Sequence, residues 1–435
     1  MKNYPSSEHP ARRTFLKTTG SAVVGSALAF GFAPSRATAF APNSDTLRVG
    51  LVGCGGRGTG AANQALKADN NAVLVAVADV FPDRMQTSLD SLTQSHGDKV
   101  QVDEDHRFLG FDAYQKLIDS GVDVVLLASP PGFRPDHIKA AVAAKKHVFA
   151  EKPVAVDIPG VKKVMEAAKK AKENRTSLMS GLCWRYHEPK RAVFGRVLDG
   201  AIGEVTSVYN TYNTGTLWHK ERQPEWTEME YQLRNWLYYP WLSGDHINEQ
   251  AIHSLDMASW ALGDRNPVSA MGTGGRQVRT DDKYGNVFDH FAITYDYGDG
   301  VNSHHFSRQQ FNCANSYKVE VQGTKGRALA DCIRDQHEIV ADERWRYRGE
   351  KNDMYQTEHN ELFAAIRADE PVNDGDIMTR STILAAMGRM AAYTGQVITW
   401  EDAMNSTETL GPEKYNWDLV YETPPVPMPG ITALG

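Results

Sequence analysis

Cysteine is scarce in this chain, four residues in 435, and Cys54, Cys183, Cys313 and Cys332 form no C-x-x-C pair. That spacing excludes a disulfide-framed scaffold and indicates no zinc site, so no metal is expected, while one disulfide stays open. An excess of positive charge is also lacking. The formal charge is −7, and it becomes about −11 once the first 39 residues, which are net basic, are set aside. Such a balance argues against nucleic acid or an anionic membrane surface as partner. Past those first residues, no apolar run is long enough to span a bilayer. What is there is a globular composition, 41% hydrophobic and 23% charged, with enough material for two domains.

The first 39 residues are set apart by their pattern. Arg12-Arg13-Thr14-Phe15-Leu16-Lys17 resembles a twin-arginine export signal, Gly20 to Ala33 is short and moderately apolar, and Ala37-Thr38-Ala39 has the form of a cleavage site. The expectation is a removed signal peptide and a periplasmic or other extracytoplasmic protein that folds, and loads any cofactor, before export. An uncleaved anchor is the alternative.

Glycine is concentrated where it carries chemistry. The run Leu47 to Val52 has the length and β-branching of a buried strand, breaks at Gly53, Gly55 and Gly58, and leads into an Ala-rich helical pattern. Strand, Gly-x-Gly-x-x-Gly and helix together predict a dinucleotide site, with Gly56 and Arg57 in the same loop. The first Gly permits the turn, the second admits the pyrophosphate and the third lets the helix pack close. Asp79, closing the next apolar run, would accept from ribose hydroxyls. It favours NAD, because a 2′-phosphate would meet a carboxylate, whereas Arg57 and Arg84 keep NADP open.

Strand and helix patterns then alternate: strands over Ala72 to Ala78, Val122 to Ala128 and His147 to Ala150, with a helix over Asp136 to Ala144. These predict an α/β fold with a doubly wound parallel sheet over residues 46–153. Ser129 and Pro130 fall at its carboxyl edge, where ligands bind in such sheets. After Pro153 comes a helix over Val161 to Lys172, then longer alternating strands. Phe288 to Tyr297 and Val301 to Arg308, joined by Gly298-Asp299-Gly300, read as an antiparallel hairpin. Residues 154–400 are expected to form an α+β domain with an open, mainly antiparallel sheet, and a helix over 378–394 to pack back on the first domain. Residues 401–435 form a C-terminal extension.

Two further motifs bear on chemistry. Glu151-Lys152-Pro153 directly follows a buried strand, so the Lys152 ammonium would project between the domains and donate to a substrate oxygen during hydride transfer. In Gly244 to Met257 the apolar spacing predicts one helix, with Glu249 and His253 one turn apart on one face. A carboxylate beside the imidazole would orient it and raise its basicity, as a base for a sugar hydroxyl requires. Asp256 would share that orienting part or simply stabilise the helix.

Taken in order, Gly53 to Gly58, Glu151-Lys152-Pro153, Arg185-Tyr186, Ala201-Ile202-Gly203-Glu204-Val205 and His253-x-x-Asp256 resemble the glucose-fructose oxidoreductase/inositol dehydrogenase/MocA family (Gfo/Idh/MocA) over about Leu47 to Thr399. The resemblance implies a Rossmann domain, a second domain whose open sheet serves homodimer or homotetramer formation, and nicotinamide chemistry on sugars or polyols with Lys152 and His253 at the reacting carbon. Many members carry Asp where this chain has Glu249. Arg185, Tyr186, Trp218, His219 and Asp256 are candidates for substrate contact. The aromatic-rich stretch from Tyr209 to Trp241 fits sugar stacking and a subunit interface equally well.

Export limits access to soluble coenzyme, so the expected cofactor is NAD, retained and recycled in place. Two cycles satisfy that: a sugar oxidoreductase that couples oxidation of one sugar to reduction of another, or an NAD-dependent glycoside hydrolase in which a ring hydroxyl is oxidised, a substituent is eliminated, water adds and the carbonyl is reduced again. A non-catalytic sugar or nucleotide sensor is the reading from another class, and Lys152, Glu249 and His253 together speak against it.

Overall fold

The computed structural model describes residues 45–435, so the expected export signal and cleavage site lie outside the described residues. Six strands form the first sheet: β1 (Leu47–Val52), β2 (Ala72–Asp79), β3 (Arg107–Leu109), β4 (Val124–Leu127), β5 (His147–Ala150) and β6 (Leu178–Ser180). All pair in parallel in the order β3-β2-β1-β4-β5-β6, the doubly wound arrangement. β4 is buried throughout, and β1, β2 and β5 bury nearly all of their apolar residues, as a sheet covered on both faces requires. The covering helices are α1 (Gly56–Ala68), α2 (Pro82–His96), α3 (Ala113–Asp119), α4 (Arg134–Ala143) and α5 (Ile158–Asn174). β6 lies beyond Pro153, so the change of sequence texture there does not end the first sheet. Three residues are too few to show a period.

The second sheet has nine strands: β7 (Val205–Thr214), β8 (Ser269–Gly275), β9 (His290–Asp296), β10 (Asn302–Gln309), β11 (Ser316–Gly323), β12 (Arg327–Asp331), β13 (Gln336–Val340), β14 (Arg344–Arg346) and β15 (Ile398–Thr399). Only β7 and β10 pair in parallel, and β9 and β10 form the antiparallel hairpin read from the sequence. Helices α6 (Glu188–Leu198), α7 (Glu228–Arg234), α8 (Pro240–Ser243), α9 (His246–Glu249), α10 (Ile252–Ala261), α11 (Met354–Ala368) and α12 (Gly375–Thr394) complete the chain used below. α12 serves both domains unequally. Met378 in its first turn joins the core under the parallel sheet, whereas Ile383 to Ala392 pack in the core of the second sheet. On the side of the first sheet it packs along α5 and against β6, with Gly375 close to Ala168. Its almost continuous burial hides which face meets which neighbour.

The other face of the second sheet exposes Tyr209, Met271 and Phe306. All four cysteines are free thiols. Among the described residues no helix is long and apolar enough to cross a membrane, and no cluster of His, Cys, Asp and Glu could hold a metal ion.

Candidate active site

The sheet order reverses between β1 and β4, and the loops leaving these two strands lie side by side. Gly53 has φ +93°, and its position leaves no room for a Cβ against the backbone of Ala128 and Ser129. A Cβ on Gly58 would overlap the carbonyl oxygen of Gly53, so α1 can approach β1 this closely only with glycine there. Gly56, by contrast, faces open space. No side chain caps the start of α1 and no acid stands in its first turn, which leaves its N–H groups and dipole free for an anion. These features fit a dinucleotide pyrophosphate.

A cavity of about 750 Å³ opens from this loop and is lined by Gly53 to Thr59, Asp79, Arg84, Ser129, Pro130 and His137 among others. The Asp79 carboxylate accepts the Cys54 N–H at 2.6 Å and the Phe81 N–H at 2.9 Å. Burial raises its pKa, opposed by those two donors and by the Arg84 charge. Ser129 Oγ lies 3.1 Å from His137 Nδ1, and burial holds that imidazole neutral, with its pKa pushed down to about 3. Arg57 is turned to other work. Its Nε lies 2.8 Å from Glu151 Oε1, misaligned for a hydrogen bond, while its terminal nitrogen donates to Gln64 at 2.6 Å and its guanidinium covers the Tyr355 ring. Of the two arginines that kept a 2′-phosphate open, Arg84 is the one left beside Asp79.

The contact between Arg57 and Glu151 joins the glycine loop to the motif after β5. The next residue, Lys152, reaches across to α9, where its ammonium donates to the Glu249 carbonyl at 2.5 Å and lies 3.7 Å from the Glu249 carboxylate. Both side chains are largely buried. Glu249 Oε2 and His253 Nδ1 are buried without a hydrogen-bond partner, the pattern of polar atoms that await a ligand. His253 stacks on Trp184, with ring centres 5.2 Å apart and planes at 18°. Burial, then the Lys152 and Lys190 charges, depress its pKa well below the ordinary imidazole value. It is therefore a neutral base at neutral pH.

One expected relation is corrected. Gly244 to Met257 is not one helix: α9 ends at Glu249 and α10 starts at Ile252, because the N–H groups of Gln250 and Ala251 both close on the His246 carbonyl. Glu249 thus pairs with Lys152, and burial followed by two cations, with no carboxylate opposing them, lowers the basicity of His253.

The remaining candidates fall elsewhere. Arg185 donates through Nε to both oxygens of Asp256 at 2.9 Å and through its terminal nitrogens to Asp264 at 3.0 and 2.6 Å. Ser381 donates to Asp256 as well, so this buried clamp leaves Asp256 no free face for a ligand. Tyr186 donates to Asp374 at 3.1 Å. These three expected substrate contacts are joined to scaffold partners. Trp218 lines the dinucleotide cavity, while His219 lies 3.0 Å from the Tyr231 hydroxyl, outside that lining.

Two residues went unread. Trp184 supplies the platform for His253 and also stacks with Tyr212 of the aromatic-rich stretch at 6.0 Å. Arg134, fully buried at the start of α4, donates to the Pro153 carbonyl at 2.5 Å beside the charges of Glu151 and Glu249. Its place directly after the Ser129 to Gly132 turn was the available signal.

Known proteins share this fold. Residues 47–178 match the model described as "Oxidoreductase family, NAD-binding Rossmann fold", and residues 191–329 match the Gfo/Idh/MocA C-terminal domain. The chain is 27% identical over 321 residues to an inositol 2-dehydrogenase of Rhizobium meliloti, covering 73% of this chain and 86% of that one. It is 29% identical over 246 residues to a glycosyl hydrolase family 109 protein of Solibacter usitatus, about half of each chain. In fold it is similar to an aldose-aldose oxidoreductase of Caulobacter crescentus, with a TM-score of 0.64 at 20% identity, covering 82% of this chain and 100% of that one. With its NAD-binding Rossmann domain and its open-sheet second domain, the chain belongs to the Gfo/Idh/MocA oxidoreductase family.

Proposed function

We propose that this chain transfers a hydride between a tightly held NAD(H) and a hydroxyl or carbonyl carbon of a sugar or polyol. The observation that carries this reading is the meeting of the Lys152 ammonium, the Glu249 carboxylate and the neutral His253 imidazole at a seam joined to the glycine loop through Glu151 and Arg57. When bound, the nicotinamide supplies the hydride acceptor or donor. Gly53 to Gly58 and the start of α1 hold its pyrophosphate, Asp79 takes ribose hydroxyls, and Ser129 and Pro130 line the path between. Lys152 donates to the substrate oxygen and stabilises the negative charge that develops on it. His253 Nδ1 accepts the hydroxyl proton on oxidation and returns it on reduction. The unpartnered Glu249 oxygen receives a second substrate hydroxyl.

The likeness to the glycosyl hydrolase family 109 protein supports a second reading on the same residues. There the keto-sugar formed by oxidation has an acidified C–H, the glycosidic substituent is eliminated, water adds, and the carbonyl is reduced. Oxidation of one sugar coupled to reduction of the carbonyl of another, like the hydrolase cycle, returns the cofactor to its starting state, which agrees with a protein exported by the twin-arginine route and retaining its coenzyme. Its partners are then a small sugar or glycoside and further copies of itself, as homodimer or homotetramer.

The test is to purify the full chain without added nucleotide, denature it and identify released dinucleotide by mass spectrometry. Near-stoichiometric NAD(H), followed by turnover of glycosides or sugar pairs without external coenzyme, is the expected result; glycoside cleavage by water alone selects the hydrolase. An empty protein that turns over only with added NAD would overturn retention and leave an ordinary dehydrogenase.

A further inference from the structure

Part of the dinucleotide cavity is walled by the second domain. Trp218, Lys220, Leu233 and Trp236, all from the excursion 215–243 between β7 and α9, line it together with Phe81, Phe111 and Phe133 of the first domain. The excursion is fastened across the seam. Arg234 donates to both carboxylate oxygens of Asp83 at 3.1 Å and lies over the Phe81 ring at 4.0 Å. The Gly132 N–H donates to the Leu242 carbonyl at 3.1 Å, an approach that a Cβ on Gly132 would block against the Trp241 backbone.

A second element lies behind the same wall. Over residues 415–421, Tyr415, Trp417, Leu419 and Tyr421 are half-buried and Asn416, Asp418 and Val420 exposed, the period of an extended chain with one face packed. Trp417 meets Phe111 at 4.9 Å and Phe81 at 5.8 Å between ring centres, and Tyr415 meets Phe133 at 4.9 Å. The strap is tied at both ends: Leu410 N–H donates to Asp157 at 2.9 Å, and Gln232 donates to the Tyr421 carbonyl at 2.7 Å. Neither Tyr415 nor Trp417 lines the cavity itself; each backs rings that do.

We propose that the excursion 215–243 and the strap 410–421 form a two-part clamp that holds a bound dinucleotide against exchange, by fixing Phe81, Phe111 and Phe133 in the cavity wall. The clamp rests on the retained-cofactor reading and names the residues that would enforce it. A ligand enclosed by such a wall leaves only when the wall opens, so packing behind the wall sets the release rate. Aromatic rings suit this work because their contacts are broad and directional.

The test follows exchange of bound NAD for deuterium-labelled NAD in the full-length protein by mass spectrometry of the protein-bound fraction. The double variant Tyr415→Ala/Trp417→Ala and the single variant Arg234→Gln should exchange on the order of ten- to hundredfold faster than the parent. The outward-facing control Asp418→Ala should exchange at the parent rate. Circular dichroism checks folding, and if the double variant fails to fold, Arg234→Gln and Trp417→Phe decide the matter. A parent that keeps its NAD while folded variants release it no faster overturns the clamp and leaves retention standing. If the parent instead emerges empty, retention fails, and release of added NADH followed by stopped-flow fluorescence judges the clamp alone: faster release in the variants supports it, equal release overturns it.

Discussion

The two halves of the cleft are built by opposite means. At the glycine loop, binding groups come from the backbone: the start of α1 is uncapped, Gly56 faces open space, and the crossing of Gly53 and Gly58 tolerates no side chain. At the seam, the candidate working groups are side chains from distant segments, Lys152, Glu249 and His253, and two of them carry buried polar atoms without partners. An extended anion is held by many fixed N–H donors that never change state, whereas a reacting hydroxyl needs groups that exchange protons and charge. The first half is thus a matter of shape and the second of unsatisfied chemistry.

The largest effect should come from the seam. Lys152→Met removes the cation proposed to meet the substrate oxygen, and turnover should fall about 10²- to 10⁴-fold while dinucleotide content stays at the parent level. Loss of bound dinucleotide instead would show that the two halves are not separable. Next stands the clamp beside the seam. Arg185→Met leaves Asp256 buried without its cation, and a loss of about 3–5 kcal/mol in chemical denaturation is expected. A folded variant of parental stability with a raised KM would return Arg185 to the substrate-binding set.

Much of the first half was legible because each residue acts through its neighbours in sequence. The boundaries of β1 and β5 follow from their apolar runs, and the glycine spacing carries the loop's geometry with it. The seam was legible only in part. Lys152 and His253 could be singled out, but which group lies beside which depends on the break at Gln250, and two backbone N–H groups sharing one carbonyl leave no mark in an apolar pattern. Arg185 and Asp256 are polar residues whose partners lie 71 and more positions away, so a buried ion pair and a ligand site look alike in sequence. The aromatic stretch stayed open between sugar stacking and a subunit interface for a related reason. Its rings pack against Phe81 and the strap, and only tertiary structure distinguishes a wall from a sugar platform.

A smaller effect is expected from crowding the loop. Gly58→Ala forces α1 away from the Gly53 carbonyl, which should lower stability by about 1–3 kcal/mol and weaken dinucleotide binding at least about tenfold. Titration with NADH, monitored by fluorescence, checks the second part; unchanged affinity would mean that the helix shifts without disturbing the phosphate site.

The smallest step per group tests whether both halves share a dependence on pH. His137 beside the loop, together with His305 and His359, is held neutral by burial, each with a pKa pushed down to about 3, and His253 at the seam is depressed in the same direction. In the unfolded chain these imidazoles titrate near 6.5, so below that value the unfolded state binds more protons and stability falls. Their contribution is full above pH 6.5 and is lost as pH drops toward about 3, at roughly 1 kcal/mol per pH unit for each histidine. Melting temperature should therefore decline steadily from pH 6.5 to 4.5. His359→Leu, which replaces a ring whose two nitrogens have no partner, should make that decline shallower. Activity behaves differently, because His253 stays a competent base well below 6.5, so kcat/KM should hold on the acid side until unfolding removes it. An acid limb near 6.5 in a protein that is still folded would mean that the base is not His253.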